Sequence, residues 1–172
     1  MVFLMWGIFA VESLYSTDFG IFGIWPREFR GLLGLITAPL LHGNSYHLIS
    51  NTFPLLFLGT TVFFFYDRIA IRVFFQCYFV PNFLVWLFAR PNIHIGASGL
   101  IYGLASFLIF YGIFRKDIKS LLLSIVITLL YGTLIYGVFP NQYGVSWESH
   151  LFGAVVGALS ASIYARKKRV SS

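Results

Sequence analysis

The sequence predicts an all-α membrane protein, a compact six-helix bundle with a long, partly embedded connection between its first two helices. Three observations predict it. Apolar residues make up 58% of the 172-residue chain and charged residues only 10%, and the mean hydropathy is +0.81. Soluble domains carry about 25% charged residues, so this chain cannot cover its surface with polar groups in water. The apolar residues gather into runs close to the ~20 needed to cross a bilayer as helix. The charges sit at the ends of those runs, which argues against the nucleic-acid partner that a net charge of +6 would otherwise invite. Residues 1–172 read as a single membrane domain.

The first run, Met1–Tyr15, is apolar but short, about 22 Å if helical. It is either a stunted first span or part of one that starts upstream. No basic region precedes it and no convincing cleavage site follows, so it is read as a span rather than a signal peptide. The connection Ser16–Asn44 holds Trp25, Pro26, several glycines and an apolar stretch, Leu32–Leu41, too short to cross. Connections this long are usually functional or half-embedded. Five further spans follow: Ser45–Tyr66, Ile69–Phe88, Ala97–Phe114, Ile118–Phe139 and Trp147–Ala165. Cys77, the single cysteine, lies inside a span, so no intramolecular disulfide is possible.

With the C-terminus in the cytoplasm, nine of the twelve Lys and Arg fall inside: Arg68, Arg72, Arg115, Lys116, Lys119 and Arg166 to Arg169. Three fall outside, Arg27, Arg30 and Arg90. That asymmetry follows the positive-inside rule, and six spans then place the N-terminus inside as well. Spans two, four and six run from outside to inside, and each carries polar residues near its outer end. These are His47 and Asn51, Ser98 and Tyr102, and His150, the first two pairs four residues apart and so each on one helical face. From the first inner charge, at about 1.5 Å per residue, Asn51 stands about 24 Å away, Ser98 about 26 Å and His150 about 24 Å. Three helices thus present polar groups at one depth, where burial is costly and usually functional.

Gly99 and Gly103 on span four, and Gly153 and Gly157 on span six, are small-xxx-small pairs that let helix backbones approach closely in lipid. A Ser98–His150 pair is therefore expected. Serine is a weak nucleophile until a neighbouring base takes its proton, and neutral histidine is the usual base. The Ser98 N–H, the Asn51 amide and the His47 ring are candidate donors to the oxyanion of a tetrahedral intermediate. No Asp or Glu is placed to complete a triad, since Glu148 is two residues from His150 and faces elsewhere. The expected chemistry is a dyad without metal or cofactor.

Gly96-Ala97-Ser98-Gly99 with Tyr102-Gly103 resembles the GxSGxxYG motif of the rhomboid family of intramembrane serine proteases. His47 to Asn51 resembles its HxxxN motif, and His150 to Gly157 its HxxGxxxG motif. His42 matches a family histidine that helps brace the first loop. The resemblance covers the whole chain as a six-helix rhomboid-like core. It implies a Ser98–His150 dyad and an oxyanion hole from Ser98, His47 and Asn51. It further implies Tyr102 packed on the catalytic imidazole, with Gly96, Gly99 and His42 in support. The implied substrates are single-pass membrane segments with small residues at the cut and a helix that unwinds easily. Entry would be gated by the fifth helix and the loop Asn141–Ser146. The compact core looks like that of a bacterial inner-membrane enzyme. One departure stands out: the family's first loop often carries adjacent Trp-Arg, where this chain has Trp25-Pro26-Arg27.

Blander readings stand beside these. A serine in a small-residue helix is most often packing glue, and His47 with Asn51 could form an interhelical hydrogen bond only. Tyr102 could be a core aromatic, and His94 is expected to be merely interfacial. Trp6, Trp25, Trp86 and Trp147 fit an aromatic belt, and Arg166–Arg169 an anchor attracted to anionic lipid. The rival from another class is a catalytically silent rhomboid-like protein that binds membrane clients. A transporter would call for inverted repeats or buried carboxylates, a zinc protease for HExxH, and an aspartyl protease for paired buried aspartates. None of these is visible.

Overall fold

The computed structural model describes residues 1–140 and 144–170, with side chains through Arg166. The described residues form an all-helical chain: α1 (Val2–Tyr15), the single turn α2 (Gly34–Thr37), α3 (Ser45–Phe65), α4 (Asp67–Phe88), α5 (Ser98–Arg115), α6 (Ile118–Tyr131) and α7 (Trp147–Val170). Helix is the only open backbone form that satisfies its own polar groups in lipid. Side chains complete two of the helix starts. Asn44 accepts the His47 N–H at 2.8 Å ahead of α3, and Asp117 accepts the Ser120 N–H at 3.0 Å ahead of α6.

Among the described residues, four helices are long and apolar enough to cross a membrane: α3, α4, α5, and α6 with the 3-10 turns that continue it to Val138. α1 is apolar but has only 14 residues. It docks on α3, with Met5 fully buried and the Trp6 indole N–H donating to the Thr52 hydroxyl at 3.1 Å. α7 is long, but Glu148, Ser149 and His150 make its first turn polar. The fifth predicted span, Ile118–Phe139, is corrected in form. Regular α-helix ends at Tyr131, and Gly132–Val138 runs on as 3-10 turns, the tighter winding common at helix ends. The fourth begins at Ser98 rather than Ala97, and the third at Asp67 rather than Ile69.

α5 is the central post. Every residue from Gly99 to Leu108 is buried, with α3, α4, α6 and α7 packed around it. α6 is peripheral, burying only Ser120, Ser124 and Ile127. Large apolar side chains such as Phe64, Phe88 and Leu129 face outward, as a lipid-facing surface requires and an aqueous one penalises.

The connection from α1 to α3 folds into short turns, 3-10 at Phe19–Phe22, Phe29–Leu32 and Ala38–Leu40, with α2 between the last two. The Trp25-Pro26-Arg27 departure has a structural outcome. Arg30 lies 3.6 Å over the Trp25 ring, while the Arg27 guanidinium donates to the Ala89 carbonyl at 2.7 Å beyond the end of α4. The connection is tied to α4 again by Asn82, whose amide donates to the Leu35 carbonyl at 3.1 Å.

Candidate active site

Small residues bring α5 and α7 into backbone contact. A Cβ at Gly153 would run into the Gly99 carbonyl, and one at Gly157 into the Gly103 carbonyl. A Cβ at Gly99 would stand 2.5 Å from the Ser149 hydroxyl. The Ser106 hydroxyl adds a 2.7 Å bond to the Ala154 carbonyl. Above this seam the helices open into a cavity of about 960 Å³, lined among others by His47, Asn51, Ser98, Tyr102 and His150.

Ser98 is the first residue of α5, where backbone N–H groups lack intrahelical acceptors and the helix dipole is positive. Gly96, two residues earlier, has φ +107°, a conformation that side chains rarely adopt. A Cβ there would also stand 2.6 Å from the His47 ring. Glycine is therefore demanded by backbone and space together.

His150 is buried and held from two sides. Its ring stacks on Tyr102 at 4.1 Å between centroids and 5° between planes, and Nδ1 lies 2.9 Å from the Gly137 carbonyl. A carbonyl can only accept, so Nδ1 carries the proton and Nε2 is left as the basic nitrogen. This is the orienting role that a carboxylate plays in a triad. Gly137 was not legible as a site residue. Its 3-10 turn passes so close that a Cβ would strike the Tyr102 hydroxyl.

On α3, the Asn51 amide donates to the His47 carbonyl of its own helix at 2.8 Å. That leaves one amide hydrogen uncommitted, and Oδ1 is buried without a partner among the described residues. His47 is half-buried and meets His42 edge-on at 4.9 Å.

His42, on the connection outside the spans, is 3% exposed. Burial first, and His47 second, push its pKa down from 6.5 to about 4. The nearby Leu40 carbonyl offsets part of this without reaching hydrogen-bond geometry. Between these values the unfolded chain binds the proton and the folded chain does not. Stability present above pH 6.5 is thus lost as pH falls toward 4, by at most roughly 3 kcal/mol. Thermal unfolding in detergent across that range should show the slope, and His42→Phe should reduce it.

One residue sits otherwise than the sequence indicates. His94 is not interfacial but 3% exposed, with Nδ1 2.6 Å from the Ser146 hydroxyl and Nε2 3.1 Å from the Arg90 carbonyl. Burial pushes its pKa down. Glu148, as expected, faces away from His150; it is buried and meets the Arg90 guanidinium at 3.1 Å. Among the described residues no three His, Cys, Asp or Glu side chains converge to hold a metal ion. Asn141–Tyr143, part of the expected gating loop, and the side chains of Lys167, Lys168 and Arg169 lie outside the described residues.

The chain matches the Rhomboid domain over residues 30–167. It is 33% identical over 181 residues to an uncharacterized protein of Mycobacterium tuberculosis, covering 98% of this chain and 74% of that one. An uncharacterized protein of Mycobacterium leprae is 34% identical over 147 residues, 80% of this chain and 58% of its own. RHOMBOID-like protein 4 of Arabidopsis thaliana is 30% identical over 131 residues, 73% of this chain and 32% of its own. A domain match over most of the length, on a helical bundle whose matching motifs line one cavity, makes this chain a multi-pass membrane protein of the rhomboid family.

Proposed function

We propose that this protein is an intramembrane serine endopeptidase that cleaves single-pass membrane segments near the outer face of a bacterial inner membrane. The observation that carries the reading is the clamp on His150. Gly137 and Tyr102 together hold a neutral imidazole with Nε2 free to act as base, in the cavity that Ser98 also lines. The charge asymmetry supports six spans, including α1 and α7, with both termini in the cytoplasm.

In the proposed reaction, Nε2 of His150 takes the Ser98 hydroxyl proton as Oγ attacks the scissile carbonyl. The oxyanion is met by the Ser98 N–H at the start of α5, by the second amide hydrogen of Asn51 and by the His47 ring. His150 then protonates the leaving amine. Water, deprotonated by the same nitrogen, releases the acyl group. The substrate segment enters from the lipid between α3 and α6, which meet at the Phe57–Tyr131 ring pair, 5.9 Å apart.

The test is co-expression with a single-pass reporter carrying small residues near the outer boundary, scored for wild type and for Ser98→Ala. Cleavage by wild type alone supports the protease. Cleavage by neither favours the silent, client-binding relative. Equal cleavage by both means another protease made the cut. Within the active enzyme, Asn51→Ala is expected to lower kcat about 100-fold without abolishing turnover, through loss of one oxyanion donor. Unchanged kinetics would remove Asn51 from the hole.

A further inference from the structure

On the wall of the same cavity, which Arg90, His94 and Ser146 also line, a compact polar cluster joins the connection that leads into α5 to the residues that begin α7. From the connection, Arg90 donates through Nε to the Glu148 carboxylate at 3.1 Å and through its guanidinium to the Val145 carbonyl at 2.5 Å. Its backbone N–H adds a longer contact to the same carboxylate oxygen at 3.4 Å. The His94 Nε2–H donates to the Arg90 carbonyl, since a carbonyl can only accept. That leaves Nδ1 to accept the Ser146 hydroxyl at 2.6 Å.

Ser146 stands immediately before α7, and its own carbonyl takes the backbone N–H groups of Ser149 at 3.1 Å and His150 at 3.4 Å. Two hydrogen bonds thus connect His94 to the backbone of His150. His94 is itself fixed to the first connection, its N–H and carbonyl exchanging bonds with Ile24 at 3.0 and 2.9 Å. His94 is four positions from Ser98, and Glu148 two positions from His150.

We propose that Arg90, His94, Ser146 and Glu148 form a clasp that sets the position and rotation of the first turn of α7, and so aims His150 at Ser98. The four are positioning residues, and the role presupposes the serine-protease reading. The glycine seam cannot do this work alone, because it fixes the spacing of α5 and α7 below Gly99 while His150 sits above it. The chain entering α7 arrives through Gly144, which has φ +77°, so the turn is held by its bonds rather than by a stiff approach. Glu148 is 4% exposed, and a carboxylate so buried is costly unless paired. The Arg90–Glu148 contact is therefore the strong half of the clasp and the His94–Ser146 bond its directional half.

The full chain in detergent tests this through three readouts: the rate at which a fluorophosphonate probe labels Ser98, reporter kinetics, and thermal unfolding. Ser146→Ala and Glu148→Gln should label about tenfold slower or worse, since a misplacement of about 1 Å at a reacting pair costs about 100-fold. kcat should fall with KM unchanged, and the unfolding midpoint of Ser146→Ala should stay near that of wild type. Ser146→Thr, which keeps the hydroxyl, should recover most of the rate. If Glu148→Gln fails to fold, the two Ser146 variants decide. Wild-type labelling in Ser146→Ala overturns the clasp, and so does a loss that Ser146→Thr leaves unrepaired. A wild-type chain that neither labels nor cleaves removes the protease reading, and the positioning role with it.

Discussion

Ser98→Ala is expected to lower reporter cleavage by about 10⁴- to 10⁶-fold, and His150→Ala nearly as far, because a nucleophile and its base act as one unit. For the same reason the double variant should be no worse than either single one. The loss should fall on kcat, since neither side chain is needed to seat a membrane segment in a cavity of this size. Both substitutions remove atoms from a cavity that is already open, so the bundle should keep its fold. Wild-type unfolding midpoints for the inactive variants would separate lost chemistry from lost structure. Activity clearly above background in both single variants would sink the dyad. His150→Ala carries a further consequence. The imidazole fills the space between Tyr102 and the Gly137 carbonyl, so its removal should loosen the 3-10 turns after α6, and their backbone amides should exchange faster.

The largest structural effect is expected from Gly153→Val. Its Cβ would fall on the Gly99 carbonyl, a backbone atom that cannot swing aside as a side chain can. Overpacking typically costs about 1–3 kcal/mol and occasionally more. Here the two most intimately packed helices must part, so thermal unfolding in detergent should drop steeply and cleavage should vanish with it. Gly59→Ala on α3 is the control. A Cβ there meets nothing within 4 Å, and replacing a helical glycine by alanine where there is room gains up to about 1 kcal/mol. Equal unfolding temperatures for Gly153→Val and wild type would refute the close backbone approach of α5 and α7.

Much of this architecture is visible in one dimension because lipid imposes a simple rule. Every span must be helical and apolar, so composition and run length mark α3 to α6 directly. The spacing of His47 and Asn51, and of Ser98 and Tyr102, follows helical periodicity, and the rise per residue places them and His150 at one depth. Glycine faces are equally plain, since Gly99, Gly103, Gly153 and Gly157 recur four apart. Boundaries were less legible. Ile118–Phe139 reads as one apolar run, and nothing in its composition marks the change to 3-10 winding at Gly132.

By itself, then, the sequence determined the solvent, the long helices, the family and the residues offered to one cavity. Each of these depends on local composition, on periodicity, or on motifs read along the chain. Only the tertiary structure decided that Gly137 orients His150, that Glu148 is turned onto Arg90, and that His94 is buried against Ser146. The reason is physical. Every residue but proline offers the same backbone N–H and every residue the same carbonyl, so the one that captures an imidazole has no signature. Arg90 and Glu148 are 58 positions apart. Their pairing exists only once α4, α5 and α7 have packed.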